Sequence, residues 1–289
     1  MVTGAPTNRP ATRGVFKYPL DLAPTLVICG AVALGLLPIL AGLDHRWLWL
    51  IVPLSLVGRA LAPVHQHTHG HAAIFRSSLL NALYDHVLVL ASGHTTAVWE
   101  LQHSLGHHRQ YLDSRADVAG ADRFAFARGW PTVLRRIAFT VCADALTVVD
   151  AYQIAAEFPA KRRRLRRRLV LQLAAQLAVL VVLWAFDPVA TLAVFIVPNV
   201  ILRWLVGWIA FAQHDGVPAT DTYSGSMNEF GLVSRVLLNL GHHTAHHEKP
   251  TLHWSLLPMR TARIFHLIPS TCLKGTPDAG WWSIEGEPR

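Results

Sequence analysis

The chain reads His65-Gln66-His67-Thr68-His69-Gly70-His71 where an apolar run ends, which places four histidines within seven residues. Two further histidine boxes follow, with the spacings H-x3-H-H at 103–108 and H-H-x2-H-H at 242–247. Neutral imidazole is the commonest protein ligand for transition metals. A tetrahedral zinc site closes with four ligands. Three boxes offer more ligands than one such site accepts, so the pattern predicts two metal ions held mainly by nitrogen.

The composition is that of a membrane protein. Of the 289 residues, 52% are hydrophobic and 15% are charged, whereas soluble domains carry about 25% charged residues. The net charge of +8 could indicate nucleic-acid binding. However, 23 of the 26 Lys and Arg residues lie before residue 22, within 64–168 or after residue 214. This loop bias matches the positive-inside rule, so we expect no nucleic-acid partner and expect the basic side to face the cytoplasm.

Hydropathy predicts an all-α integral membrane protein with four transmembrane helices and a cytoplasmic helical cap that carries the dimetal site. The apolar stretches 79–91 and 133–155 are interrupted by charge, which favours interfacial or cytoplasmic helices. The basic run 161–168 is interpreted as a stop that fixes orientation. The predicted spans are 22–43, 47–63, 169–186 and 189–213. The predicted division is a flexible cytoplasmic leader (1–20), one membrane domain (21–270) and a C-terminal tail (271–289).

Helical periodicity indicates which histidines share a face, because residues four apart lie one above the other. In the first box either His67 and His71 or His65 and His69 can point inward, and the spacing does not choose between the pairs. In the second box this rule pairs His103 with His107 and turns His108 about 100° away, toward a second ion. In the third box, at 242–247, the residues at 243 and 247 share a face and residue 246 lies beside them.

The strings His67-Thr68-His69-Gly70-His71, His103-Ser104-Leu105-Gly106-His107-His108 and His242-His243-Thr244-Ala245-His246-His247 together resemble the integral-membrane fatty acid desaturase and hydroxylase superfamily, which includes carotenoid ketolases. The resemblance covers most of residues 25–260 and implies a further ligand at the end of the fourth span, where His214 stands. It implies nine metal ligands: His67, His71, His103, His107, His108, His214, His243, His246 and His247.

Several residues depart from that pattern or stay outside it. In some relatives an asparagine one turn before the late-span histidine holds a further water. Ala210 stands at that position here, so this water contact is not expected. The extra histidines of the boxes (His65, His69 and His242) are assigned to contacts around the site or to solvent. The isolated histidines are expected at the surface or in hydrogen bonds: His45, His86, His94 and His266.

The resemblance implies two iron ions, O2 as co-substrate and a lipid-like acyl substrate held among membrane lipid. Because neutral ligands leave such a site cationic, nearby carboxylates are expected to orient the rings. The candidates are Asp113, Asp117, Asp215 and Glu248. Cys29, Cys142 and Cys272 are isolated, and we find no flavin or iron–sulfur motif. Electrons are therefore expected from a separate donor of the ferredoxin, rubredoxin or cytochrome b5 type with its reductase.

The leading hypothesis is O2-dependent desaturation of an acyl chain. The main alternative is a hydroxylase, ketolase or other oxygenase on the same scaffold, since positions of atoms rather than residue identity decide that outcome. A zinc-dependent membrane hydrolase is less favoured, because it needs only three protein ligands and the boxes offer more. A metal transporter is less favoured, because it places polar residues near mid-bilayer. The soluble di-iron class is not favoured, because it uses paired Glu-x-x-His motifs and this chain has only one, at 100–103. We expect an enzyme of the inner or plasma membrane.

Overall fold

The computed structural model describes residues 14–275. Residues 1–13 of the predicted leader (1–20) and residues 276–289 of the predicted tail (271–289) lie outside that range. Most described residues are helical. The α-helices are α1 Leu22–Ala41, α2 Leu48–Arg59, α3 Ala62–His71, α4 Ser78–Ser92, α5 Thr96–Trp99, α6 His108–Gln110, α7 Thr132–Ile154, α8 Arg162–Phe186, α9 Pro188–Thr191, α10 Val197–His214, α11 Leu232–Val236, α12 His243–Glu248 and α13 Leu257–Ile264. Two π-helical segments, Glu100–His107 and Leu192–Ile196, are inserted between α5 and α6 and between α9 and α10. Two short strands, Asn228–Glu229 and Leu273–Lys274, pair in parallel.

Four helical stretches are long and apolar enough to cross a membrane: Pro19–Ala41, His45–His71, Arg162–Phe186 and Pro188–His214. This confirms the predicted all-α class and its four spans. The second span continues through the first histidine box. The third span begins at Arg162, so most of the basic run forms its first turns instead of preceding it. Arginine favours helix, and its long side chain can reach the interface from within a helix.

The spans form two hairpins whose turns lie together. His45, in the turn after α1, contacts Asp187, in the turn before α9, with 2.9 Å between His45 Nε2 and the Asp187 carboxylate. The opposite ends of the second and fourth spans finish at His71 and His214. Histidines from both ends enter the clusters described below, so the histidine boxes gather at the end of the bundle away from these turns. Which side of the membrane that end faces remains a prediction.

A charged residue is buried within the second span. Arg59 is fully buried. It donates to the Ala91 and Leu90 carbonyls at the end of α4. It also donates to the Val194 carbonyl and to the Asn199 side chain. The carbonyls at a helix C-terminus carry partial negative charge. Arg59 therefore joins the second span, α4 and the fourth span, with no carboxylate partner among residues 14–275.

The segments outside the spans are tied to them by a buried carboxylate. Asp21, at the start of the first span, accepts a bond from the Trp254 indole (2.9 Å). Its carboxylate also lies 3.3 Å from His65 Nε2 and 3.2 Å from His253 Nε2. Trp254 packs in a core cluster formed mainly by residues after 230. The chain after the fourth span is thus fixed against the first two spans, which brings the third histidine box over the ends of the bundle.

Candidate metal centre

Nine histidines form two compact clusters. In each cluster the candidate ligand atoms lie within 4.8 Å of one another. Cluster A contains His67, His71, His103, His108 and His246. Cluster B contains His107, His214, His243 and His247. These are the nine residues that the resemblance implied, and the structure brings all of them together. Histidines 107 and 108, and likewise 246 and 247, divide between the clusters, so neighbouring residues join the two sites.

The nitrogen–nitrogen distances fit bound cations better than hydrogen bonds alone. In cluster A, His246 Nε2 lies 2.9 Å from His67 Nε2 and 3.0 Å from His108 Nε2. His108 Nε2 lies 3.0 Å from His103 Nε2. A ring nitrogen has either one proton or one lone pair, so it cannot satisfy two such neighbours. Two nitrogens bound at about 2.1 Å and at right angles are about 3.0 Å apart. A shared cation satisfies the whole set.

Cluster B has the same spacing. His243 Nε2 lies 3.2 Å from His214 Nε2 and 3.1 Å from His247 Nε2. In cluster A, Nε2 of His71 is buried without a hydrogen-bond partner among the described residues. Buried polar atoms are rarely left without a partner. The donor set therefore fits metal ions at both clusters.

The π-helix Glu100–His107 changes the pairing expected for the second box. In a π-helix the hydrogen bonds run from i to i+5, so the turn is wider than in an α-helix. His103 and His108, five residues apart, therefore meet in cluster A, and His107 enters cluster B. The prediction that His103 and His107 share one ion while His108 reaches the other is wrong, because it assumed an α-helical turn.

The pairings in the other two boxes follow the α-helical rule. His67 and His71 lie one turn apart on α3 and both enter cluster A. His243 and His247 lie one turn apart on α12 and both enter cluster B, while His246 turns toward cluster A. The structure thus decides which pair of the first box points inward.

The three extra histidines contact other groups. His65 Nδ1 lies 2.8 Å from the Tyr84 hydroxyl, and its Nε2 faces Asp21. His69 Nε2 lies 3.3 Å from the Asp85 carboxylate. His242 Nδ1 lies 2.9 Å from the Thr261 hydroxyl.

One of the four predicted carboxylates orients a cluster histidine. Asp117 is fully buried, and its carboxylate lies 2.8 Å from His107 Nδ1. This leaves His107 Nε2 free to bind a cation. Although burial raises the pKa of Asp117, the charge and hydrogen bond of His107 outweigh it and lower that pKa below its ordinary value. A metal-bound histidine commonly donates its second nitrogen to such a carboxylate.

The other three carboxylates have different partners. Asp215 pairs with Arg135 at 2.8 Å, and Glu248 pairs with Arg260. Asp113 accepts bonds from the backbone N–H groups of the turn that follows it. The second nitrogen of His214 instead donates to the Gly225 carbonyl, at 3.1 Å. A backbone carbonyl gives no signal in the sequence pattern.

Burial keeps five of the cluster histidines neutral. Burial, with the charge of neighbouring histidines, holds the pKa of His103, His243, His246 and His247 well below the ordinary value. The same causes lower the pKa of His108 to about 2. Metal binding requires deprotonated imidazole. These rings are therefore in the ligand form at neutral pH.

A cavity of about 160 Å³ extends from both clusters between α7 and α10. His67 and His103 of cluster A and His107, His214 and His243 of cluster B all contribute to its wall. Most of the remaining wall is apolar, and Ala210, one turn before His214, belongs to it. The clusters therefore line a pocket whose wall suits a mainly apolar molecule.

The sequence profile of the fatty acid desaturase family matches residues 19–274. The chain belongs to the fatty acid desaturase family. Searches among curated proteins and among solved structures gave no significant match. Family membership agrees with the four membrane-spanning helices and with histidine clusters that could hold metal. It supports an oxidoreductase of the broad desaturase and hydroxylase type in a membrane.

Sequence reasoning missed several aromatic and polar residues around the centre of this desaturase-family chain. The Tyr111 ring stacks on His247 with the ring centroids 4.1 Å apart. The Trp99 ring is nearly parallel to His67 at 5.7 Å. His94, which was set aside as a surface or hydrogen-bonded residue, is buried and lines the cavity. None of these belongs to a spaced motif, so only the folded chain shows their position.

Proposed function

We propose that the chain is a membrane-bound, non-haem di-iron oxidoreductase that uses O2 to desaturate an acyl chain. The observation that carries the proposal is the pair of adjacent histidine clusters in the wall of one cavity. Cluster A would hold one iron and cluster B the other. Imidazole suits iron, and bound iron would supply the redox chemistry for O2 activation that zinc lacks.

The chain itself would orient the ligand rings and exclude water from the site. The buried Asp117 carboxylate fixes the His107 ring, and the Gly225 carbonyl fixes the His214 ring. The cavity between α7 and α10 would hold the acyl chain with one segment beside both clusters. Restricting the substrate to one position near the reacting centre is a large source of rate enhancement.

Electrons would come from a separate protein, and the clusters would face the cytoplasm. The positive charge at the histidine end of the bundle supports both proposals. The histidine end of the bundle includes the basic first turns of α8, where Arg162, Arg163 and Arg164 are exposed. Such a surface would attract an acidic donor and matches the loop bias expected on the inner side.

The proposed function is tested by metal analysis of the purified chain together with product analysis. We expect about two irons per chain and an unsaturated product whose formation requires O2. Replacing His246 of cluster A or His107 of cluster B with Ala should reduce product to background. The exposed His86→Ala variant serves as the control and should retain activity. One zinc per chain, or full activity in His246→Ala, would contradict the proposal.

The same product analysis separates desaturation from oxygenation. A desaturase product has lost two hydrogens, whereas a hydroxylase product has gained one oxygen. Both reactions use the same clusters, so a hydroxylated product would leave the metal assignment intact and correct only the reaction.

A further inference from the structure

The wall of the cavity contains an ion pair to which an unmodified hydrocarbon chain cannot hydrogen-bond. Asp144 of α7 and Arg203 of α10 both line the cavity. One Asp144 carboxylate oxygen accepts a bond from Arg203 Nη2 at 2.9 Å. The other carboxylate oxygen and Arg203 Nε have no hydrogen-bond partner among the described residues. About a third of the Arg203 side chain remains accessible (32%).

His94 lies beside this pair. The Arg203 side chain crosses Gly93 so closely that a Cβ atom at Gly93 would lie 3.4 Å from Arg203 Cδ. His94 follows directly and also lines the cavity. Its Nε2 is buried without a partner among the described residues. Burial, and then the charge of Arg203, lower the pKa of His94 to about 3, so its ring is neutral. A neutral imidazole nitrogen can either donate or accept.

His94 is close to cluster A. The Trp99 ring lies 5.7 Å from the His94 ring and 5.7 Å from the His67 ring of cluster A. One aromatic side chain therefore separates His94 from the proposed metal site. Asp144 and Arg203 line the same cavity as the cluster histidines, so a substrate that fills the cavity beside the clusters also meets this polar group.

The chemistry of the three side chains selects one kind of ligand. The Asp144 carboxylate only accepts hydrogen bonds, and the Arg203 guanidinium only donates them. A hydroxyl group does both, so it can donate to Asp144 while it accepts from Arg203. A carbonyl could use only Arg203 or His94. A carboxylate would be repelled by Asp144. An acyl chain without a polar substituent would leave charged groups unsatisfied in a low-dielectric site, which is unfavourable.

We propose that Asp144, Arg203 and His94 bind a hydroxyl group on the substrate, so that the enzyme acts on a hydroxylated, lipid-like chain and not on an unmodified one. This inference rests on the proposed function, because it takes the cavity beside the clusters as the substrate site. The three residues act in specificity and belong to neither cluster.

The inference is tested by equilibrium binding to the full-length protein in detergent. The probes are methyl stearate and a panel of methyl hydroxystearates with one hydroxyl at successive positions along the chain. We expect at least one hydroxylated ester to bind about tenfold or more tightly than methyl stearate, which is the effect of one good hydrogen bond. Equal affinity for methyl stearate and for every member of the panel would overturn the inference.

Variants show whether the ion pair causes the preference. Asp144→Leu combined with Arg203→Met removes both charges, a change that buried pairs often tolerate. We expect this variant to bind methyl stearate at least as tightly as the wild type and to lose the preference for the hydroxyl. If it does not accumulate, Asp144→Asn with Arg203→Gln should weaken the preference in the same direction. A purely structural ion pair would change the affinity for both kinds of ester equally, and that result would also overturn the inference.

The control variant removes an ion pair outside the cavity wall. Arg109 and Glu157 pair at 3.1 Å, with both side chains about half exposed. Arg109→Met with Glu157→Gln should keep the hydroxyl preference, and its loss there would count against a specific role of Asp144 and Arg203. Iron analysis of the same preparations separates the two proposals. Two irons without a hydroxyl preference would refute this inference alone, whereas absence of iron would refute the proposed function.

Discussion

Gly70 lies inside the first histidine box and Gly241 directly precedes the third, and the space around these two glycines differs. A Cβ atom at Gly241 would lie 1.7 Å from the Glu229 carbonyl oxygen, whereas a Cβ at Gly70 meets nothing within 4 Å. Gly241→Ala should displace the backbone that leads into α12, so we expect iron content and product to fall to background. Gly70→Ala changes the residue next to His71 of cluster A and should retain both. Iron analysis of the purified variants checks this pair, and full iron in Gly241→Ala would contradict it.

The contact between Asp117 and His107 predicts a graded loss of metal affinity. Asp117→Asn removes the charge that orients and polarises the ring but preserves the size of the side chain. Changes of this kind typically weaken metal binding by about 10–100-fold. Competition with a chelator measures the affinity. Asp113→Asn is the control, because Asp113 contacts the backbone of its own turn. Equal affinity in the two variants would show that Asp117 does not tune the site.

At this scale the sequence revealed the ligands better than their surroundings. Eight of the nine clustered histidines belong to spaced boxes that resemble a family pattern, and the same resemblance implies the ninth, His214. The partners of these rings do not, because Asp117 was one of four equivalent candidates and the Gly225 carbonyl has no signature in the sequence. The buried His94 could not be distinguished from a surface histidine without the packing around it.

Among the elements, the second histidine box shows where periodicity fails. An α-helical turn predicted that His103 would pair with His107, but the π-helix pairs His103 with His108. Composition does not reveal a π-helix, because the same residues are compatible with either turn. The third box was predicted correctly since α12 is regular. The spans were likewise found from hydropathy alone, although the third begins earlier than expected.

The buried Arg59 predicts a structural effect that spreads over three helices. Arg59→Met would leave the Asn199 side chain and the Val194 carbonyl without their donor. Each unsatisfied buried acceptor destabilises the fold by about 1–3 kcal/mol. We expect a lower unfolding temperature, measured by size-exclusion chromatography of heated samples in detergent. We also expect less protein in the membrane fraction. Arg46→Met, in an exposed turn, should behave as the wild type. A normal unfolding temperature for Arg59→Met would contradict this role.

For the whole molecule, hydropathy and charge predicted four spans with the histidines at one end, and the structure shows that arrangement. The sequence could not predict how the segments after the fourth span close over the bundle. That closure depends on contacts such as Asp21 with His253 and Trp254, which join residues more than two hundred positions apart. Each of these residues is ordinary in its local sequence, so only the folded chain brings them together.

The clusters also predict how the stability of the metal-free molecule depends on pH. In the folded chain the pKa values of His243, His246 and His247 are well below the ordinary value, whereas an unfolded histidine titrates near pH 6.5. Below that pH the unfolded chain therefore binds protons that the folded chain does not. Stability should fall as the pH drops below about 6.5, by up to about 1.4 kcal/mol per pH unit for each such histidine.

Thermal unfolding of chelator-treated protein between pH 7.5 and 5, in one detergent, measures this dependence. We expect the unfolding temperature to be nearly flat above pH 7 and to fall steeply below pH 6.5. His246→Gln removes one of the buried rings and should make the slope shallower, while the exposed His86→Gln should leave it unchanged. An unfolding temperature that stays constant down to pH 5 would mean that the rings are protonated in the folded chain. A site of that kind would not be preorganised to bind a metal ion.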